Sequence, residues 1–218
     1  MKCIVTAGPT YEELDEVRRM TNFSTGALGS ELANYLVEQG HEVLLLRGHY
    51  STCRIETKAQ SVQVFTTTTD LSRRLEGLGA SNVGAVFHAA AVSDFAFGKI
   101  WRRAEGGKLS EIKSRKIPTK AGIVLAELTP TPKIIARLRV WFPKAQLVGW
   151  KYELEGDRAQ VITQAERQLE ENQTDACVVN GAAYGKGFGL VEGPGCCRHL
   201  PDKSALFNVL AGFIAQTS

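Results

Sequence analysis

The chain is short of several features that would narrow its class in other directions. Its five cysteines (Cys3, Cys53, Cys177, Cys196 and Cys197) in 218 residues are odd in number and scattered apart from one vicinal pair. None has a Cys-x-x-Cys spacing or a histidine at zinc-finger distance, so neither a disulfide framework nor a structural metal site is expected, and the thiols are read as reduced. No apolar run approaches the roughly 18 residues of a membrane-spanning helix. No charged, apolar, small-residue leader follows Met1. The expectation is a cytoplasmic protein with no membrane partner. Charge of one sign is not in excess either: 26 Lys and Arg against 23 Asp and Glu leave a net charge of +3, dispersed along the chain. That is too little to indicate a nucleic-acid partner. Internal repeats and low-complexity segments are absent. So are two nucleotide signatures, the Gly-x-x-x-x-Gly-Lys-Ser/Thr loop and a Gly-x-Gly-x-x-Gly loop after the first predicted strand.

What is present is the composition of a globular enzyme, 44% hydrophobic and 22% charged. The length suits one α/β domain spanning residues 1–218. Short apolar runs alternate with helical periods. Strands are predicted over 2–6, 42–47, 63–66, 85–90, 146–150 and 176–180. Most are β-branched without a polar face, as strands buried on both sides must be. Helices are predicted over 30–39, 69–78, 132–141, 158–172 and 203–217. Thr69 or Asp70 is the candidate cap of the second, and Gly40 closes the first. The pattern specifies an α/β, Rossmann-like three-layer sandwich, mainly parallel, with helices on both faces. An irregular basic tract at about 99–120 is expected to be a functional flap. The glycine-rich segment 185–189 follows the last core strand and opens no helix, so it is read as a surface loop.

In such a sheet, ligands sit beyond the carboxyl ends of the strands. Four predicted ends are chemically unusual: 6–10, 89–94, 150–151 and 180–181. The polar, glycine-spaced segment 22–29 leads into the first helix. A helix opening on Gly26 and Gly29 presents unpaired N–H groups and the positive end of its dipole to an anion.

The motifs Val5-Thr6-Ala7-Gly8-Pro9-Thr10, Arg18-Arg19-Met20-Thr21-Asn22-Phe23-Ser24-Thr25-Gly26, Ala90-Ala91-Val92-Ser93-Asp94, Lys116-Ile117, Thr131-Pro132-Lys133-Ile134, Gly149-Trp150-Lys151 and Val179-Asn180 follow one another in a familiar order. In that order and spacing the chain resembles the phosphopantothenate–cysteine ligases, in their stand-alone form. The resemblance implies a ligase that joins 4′-phosphopantothenate to L-cysteine on the way to coenzyme A. The route is an acyl nucleotide, formed with CTP (ATP being the other choice) and Mg2+, and the expected working unit is a homodimer with shared sites. It assigns Asn22 and Lys116 to catalysis, and Gly8, Ser24, Gly26, Gly29, Trp150 and Asn180 to the nucleotide. Arg18, Asn22, Ala90, Ala91 and Asp94 are assigned to phosphopantothenate, with Arg18 reaching the neighbouring subunit's site and Asp94 accepting a hydroxyl or helping to place magnesium. No protein metal ligand is assigned.

Each of these residues also has a plainer reading: turn glycines, an N-capping Asn22, a solvated Arg18, close-packed alanines, a core Trp150, a surface Lys116. The chain departs from the family's frequent Lys-x-Lys-Lys at Lys116-Ile117-Pro118-Thr119, where the next lysine is Lys120. Two further classes fit the strand–helix rhythm. One is a short-chain-type nicotinamide oxidoreductase, which lacks its Tyr-x-x-x-Lys pair here; the other is a non-catalytic nucleotide-binding relative. Copurified NAD or flavin would mark the first, and nucleotide binding without pyrophosphate release the second.

Overall fold

The computed structural model describes residues 1–79 and 81–215. In chain order the elements are β1 (Lys2–Ala7), β2 (Tyr11–Glu13), β3 (Arg19–Thr21), α1 (Ala27–Glu38), β4 (Glu42–Gly48), β5 (Ser61–Phe65), α2 (Thr68–Leu78), β6 (Ala85–His88), β7 (Phe95–Arg103), β8 (Leu109–Glu111), β9 (Ile123–Pro130), α3 (Ile135–Trp141), β10 (Gln146–Tyr152), α4 (Arg158–Asn172), β11 (Ala176–Asn180), β12 (Phe188–Gly193), β13 (Cys196–Leu200) and α5 (Lys203–Ala215). The main sheet has the order β13-β12-β11-β10-β6-β1-β4-β5. Its six strands from β11 to β5 are parallel, and β12 and β13 add an antiparallel edge.

Side-chain alternation along the strands sorts the core into two layers. Cys3, Val5 and Ala7 of β1, with Phe87 and Val178, meet Leu32, Leu36, Leu206 and Leu210 of α1 and α5. Ile4, Leu46, Val86 and Leu147 point the other way, against Leu71 and Leu75 of α2 and Leu138 of α3. Val161 and Leu169 of α4 cover Cys177 and Val179 on that second face. The chain runs outward from β1 to β4 and β5, then returns through α2 to β6 on the other side of β1. The order therefore reverses between β1 and β6, which puts a crevice at their carboxyl ends.

Several sequence expectations need correction. The first helix begins at Ala27, three residues early, because Gly26 at φ 75° caps it and Gly29 falls inside its first turn. The second is capped by Thr67, whose hydroxyl accepts the Asp70 N–H; Asp70 instead accepts the Thr66 N–H and pairs with Arg74. The third starts at Ile135, since Pro132 lies before it. The fourth strand ends at His88, short of the alanines. The last helix is described to Ala215, and its predicted end at 217 lies outside the described residues. The tract 99–120 is not irregular throughout. It belongs to an antiparallel arm, order β8-β7-β9, whose register shifts between Phe97 and Ile100 and so hides the period-two pattern. The segment 185–189 is only partly a loop, because Phe188 opens β12.

Phe87 is fully buried between β1 and β10. Phe87→Ala is expected to cost about 3–5 kcal/mol. Urea unfolding should show a lower midpoint with an unchanged slope, as a packing loss without a change in exposed surface requires.

Candidate functional site

The floor of the crevice is set by backbone contacts. After β1 the chain turns at Gly8, φ 83°, and pairs with the segment after β6. The Ala91 N–H donates to the Gly8 carbonyl at 3.0 Å, and the Thr10 N–H donates to the Ala91 carbonyl at 3.1 Å. Thr10 is fully buried. Its hydroxyl oxygen accepts the Ser93 N–H at 2.8 Å and lies 3.3 Å from the Thr68 hydroxyl, while its carbonyl accepts the Thr21 hydroxyl at 2.8 Å. One residue thus ties together the end of β1, the loop after β6, the β2–β3 hairpin and the start of α2, its hydroxyl meeting the loop and α2 and its carbonyl the hairpin.

The hairpin carries Asn22 into the crevice. Its Nδ2 donates to the carbonyls of Val92 at 3.2 Å and Ala91 at 3.4 Å. Ser24 follows, half-buried, with its N–H on the Asn22 carbonyl at 2.9 Å.

The N-terminus of α1 then closes on the Gly8 turn. A Cβ on Gly26 would stand 3.1 Å from the Gly8 backbone, and one on Gly29 would stand 2.7 Å from the Ala7 Cβ. The helix start can approach β1 this closely only without those side chains. Its first N–H groups, which by geometry have no intrahelical acceptor, face the carboxyl edge of the sheet. Ser51, in the loop after β4, donates to the Thr25 carbonyl at 2.7 Å and would meet a Cβ on Gly8 at 3.0 Å. It closes the Gly8–Gly26 turn from the β4 side.

The remaining expected residues are distributed around this centre. Ala90 and Ala91 are half-buried beside Asn22. Asp94 is exposed and paired with Lys133. Trp150, on β10, packs against the layer containing α1 and α5, and its buried indole N–H has no protein partner. Asn180 ends β11 and lines a cavity of about 650 Å³ with Tyr152, Lys186, Phe188 and Lys203. From Gly8 at the end of β1, Trp150 lies across β6 and Asn180 across β6 and β10. Arg18 lies in the β2–β3 turn, bonded through Nη1 to Asp15 at 3.1 Å and through Nη2 to the Ile117 carbonyl at 3.0 Å, all within one chain. Lys116 is exposed on the arm, one residue from that contact. Among the described residues, no three His, Cys, Asp or Glu side chains are grouped to hold a metal ion. All five cysteines are free thiols. No described helix is long and apolar enough to cross a membrane.

Residues missed in the sequence include Thr6, Thr10, Asp15, Ser51 and His88. Thr6 and His88 are buried opposite each other on β1 and β6, with the Thr6 Oγ1 3.0 Å from the His88 Nδ1. The Ala90 N–H donates to the same Oγ1 at 3.1 Å, so this pair holds the loop that bears the alanines. Burial lowers the His88 pKa from 6.5 to about 4. A polar residue at the end of an otherwise apolar strand was the available signal.

Together these features define a three-layer, Rossmann-like α/β protein. The glycine-lined N-terminus of α1 lies at the topological switch point, with an antiparallel arm beside it. In the dinucleotide-binding version of such a fold the glycine turn runs straight into the helix; here the β2–β3 hairpin intervenes. The family model for the DNA/pantothenate metabolism flavoprotein C-terminal domain matches residues 1–193, and the chain belongs to that family.

Among its relatives, the coenzyme A biosynthesis bifunctional protein CoaBC of Thermococcus kodakarensis is 33% identical over 192 residues, covering 88% of this chain and 43% of the relative. The chain therefore spans less than half the length of that curated relative. The DNA/pantothenate metabolism flavoprotein of Streptococcus pneumoniae superposes with a TM-score of 0.87 at 26% identity, over 100% of both chains. A Cab2 H337A mutant, solved in complex with phosphopantothenate-cysteine, superposes with a TM-score of 0.71 over 99% of this chain and 86% of that one. At 20% identity that likeness extends to the fold.

The depressed His88 pKa has a consequence for stability. The folded state resists a proton that the unfolded chain takes up near 6.5. The contribution is therefore fully present above pH 6.5 and is lost as pH falls towards 4, by about 3 kcal/mol over that window. Denaturant midpoints measured across this range should fall more steeply for the wild type than for His88→Gln.

Proposed function

We propose that the chain acts as one synthetase-like domain across residues 1–218. In this reading it ligates 4′-phosphopantothenate to L-cysteine, through an acyl nucleotide, in coenzyme A biosynthesis in the cytoplasm. The observation that carries the reading is the meeting of two parts at the switch point. The α1 N-terminal cradle, floored by Gly8 and Gly26, adjoins Asn22, whose amide is held on the 91–92 loop. Family membership points the same way, and the Cab2 neighbour was solved with phosphopantothenate-cysteine bound.

In this reading the triphosphate lies on the N–H groups of Gly26 to Gly29, with the Ser24 hydroxyl beside it. Trp150 and Asn180 serve the base end along the sheet edge. Magnesium arrives with the nucleotide as part of the substrate, and Asp94, paired with Lys133 in this structure, accepts a hydroxyl or helps to place the ion. Ala90, Ala91 and Asp94 line the path of the pantothenate arm.

The carboxylate oxygen of phosphopantothenate attacks the α-phosphorus of CTP, and pyrophosphate leaves. The cysteine nitrogen then attacks the acyl carbon and loses a proton; the C–O bond to phosphate breaks and CMP departs. A carboxylate is a poor electrophile, and activation as an acyl nucleotide supplies the leaving group. The protein's share is placement and charge stabilisation. Asn22, whose Nδ2 rests on the Ala91 and Val92 carbonyls, turns one N–H from them to the acyl phosphate when substrate is bound, and Lys116 on the arm neutralises the departing phosphate.

The working unit is a homodimer. The arm supports this, because it exposes Phe95, Ile123, Leu125 and Leu128 on strands that no described helix packs against. A sheet of this size with apolar side chains in water requires a partner surface.

The reading is tested by supplying phosphopantothenate, cysteine, Mg2+ and CTP. Release of pyrophosphate and CMP is expected, and the absence of nucleoside monophosphate with CTP and with ATP alike would overturn it. Shared sites are tested by mixing Arg18→Ala with Asn22→Ala after confirmed subunit exchange. Mixed dimers should recover up to about a quarter of the wild-type activity, because about half the dimers are mixed and each has one intact site of two. Activity no higher than that of the separate variants would put both residues in one subunit's site.

A further inference from the structure

Asp15 lies in the turn between β2 and β3, three residues before Arg18, and its side chain is only 2% exposed. Its two carboxylate oxygens serve different purposes. Oδ1 accepts the N–H groups of Val17 at 2.8 Å and Arg18 at 2.7 Å, which fixes the turn. Oδ2 accepts the Ile117 N–H at 3.0 Å and lies 3.1 Å from the Arg18 Nη1. The Arg18 Nη2 returns to the Ile117 carbonyl at 3.0 Å. Asp15 and Arg18 therefore grip both backbone groups of a single arm residue. Ile117 is also the one buried residue of 113–120 among the described residues. On the other side of Lys116, the Arg115 carbonyl accepts the Glu16 N–H at 3.0 Å. The Ile117 N–H, opposed by burial and aided by Val17 and Arg18, lowers the Asp15 pKa from its ordinary value, so the carboxylate stays charged at neutral pH.

We propose that Asp15 is a positioning residue. It latches the arm at Ile117 and so sets Lys116 and Arg18 in a fixed relation. Its effect on catalysis rests on the ligase reading above, whereas the latch rests on the contacts alone. An arginine carries five N–H donors, and the latch uses one from each Nη. The rest of the guanidinium, in a side chain 41% exposed, keeps donors for a phosphate. One carboxylate thereby orients the cation proposed to hold the phosphate of phosphopantothenate and anchors the residue next to the cation proposed to act at the acyl phosphate. Neither Arg18 nor Lys116 has another fixed point of comparable burial on the arm.

Asp15→Asn keeps the side chain's shape but sets an amide where one charged oxygen served both the Ile117 N–H and the guanidinium. With this variant, trypsin should cleave after Arg115 and Lys116 faster by on the order of tenfold, because cleavage of a transiently opened segment follows its open population. In the assay with phosphopantothenate, cysteine, Mg2+ and CTP, the KM for phosphopantothenate should rise about tenfold and that for CTP by less than about twofold, as loss of an aimed guanidinium requires. Glu16→Gln removes only an exposed ion pair with Arg115 and should match the wild type in both readouts.

Thermal unfolding of each variant shows whether it is folded. If Asp15→Asn is unfolded, Arg18→Ala breaks the same latch from the other side and takes its place in the cleavage experiment. Cleavage at the wild-type rate would overturn the latch. Faster cleavage with an unchanged phosphopantothenate KM, or with both KM values raised equally, would overturn the positioning role. A wild type that turns over no nucleotide would overturn the ligase reading instead, and with it the catalytic half of the proposal, while the cleavage rates still judge the latch.

Discussion

The pairing of the segment after β1 with the segment after β6 is the constraint on which the rest of the site depends. Two backbone hydrogen bonds, Ala91 to Gly8 and Thr10 to Ala91, extend the β1–β6 ladder past the ends of both strands. The buried Thr10 hydroxyl then fixes Ser93 and meets α2. Everything brought to the crevice hangs from this junction. The β2–β3 hairpin starts from it and delivers Asn22, the loop after β6 carries the alanines, and β7 leaves from that loop to build the arm. A buried N–H left without its acceptor costs about 1–3 kcal/mol, and the N–H groups of Thr10, Ala91 and Ser93 are each partnered inside the protein.

A second constraint is how closely α1 packs on β1. A helix lying over a parallel strand ordinarily keeps a side-chain layer between the two backbones. At Gly29 that layer is reduced to the Ala7 methyl, and at Gly26 the cap residue touches Gly8. The helix N-terminus is thereby set into the mouth of the crevice rather than above it. A helix dipole acts mainly within its first turn, so the position of that turn decides whether it can bind an anion in the crevice.

The central sheet and the arm were not equally legible in the sequence. The inner parallel strands could be read from apolar runs with no polar face, because helices cover both their faces; the edge strand β5, with Gln63 and an exposed Val64, was placed only in part. The arm could not be read in this way. Its apolar residues Phe95, Phe97, Ile100 and Trp101 change phase at the shift between Phe97 and Ile100, and its charges, Lys99, Arg102 and Arg103, lie on the same strand. The edge hairpin β12–β13 was hidden in the same way by the glycines that precede it. Helix starts slipped by a few residues where a backbone conformation rather than a side chain makes the cap, as at Gly26 with φ 75°. Gly26, Gly29 and Asn22 could be picked out together because they lie within one continuous segment. Asp15, Ser51 and His88 were not, because each acts on residues far along the chain.

The sequence by itself determined the layered α/β class, the parallel core and the glycine-spaced helix entry, since each follows from local periodicity or from a residue's own conformational freedom. It also carried enough ordered motifs to place the chain in its family. Only the tertiary structure decided that the order of strands reverses between β1 and β6, that the hydroxyl and carbonyl of Thr10 together join four segments, and that Asp15 meets Ile117 about a hundred residues away. Those are long-range pairings. Their partners are chosen by which buried hydrogen bonds and which close approaches can all be satisfied at once, and that condition exists only when the whole chain is folded.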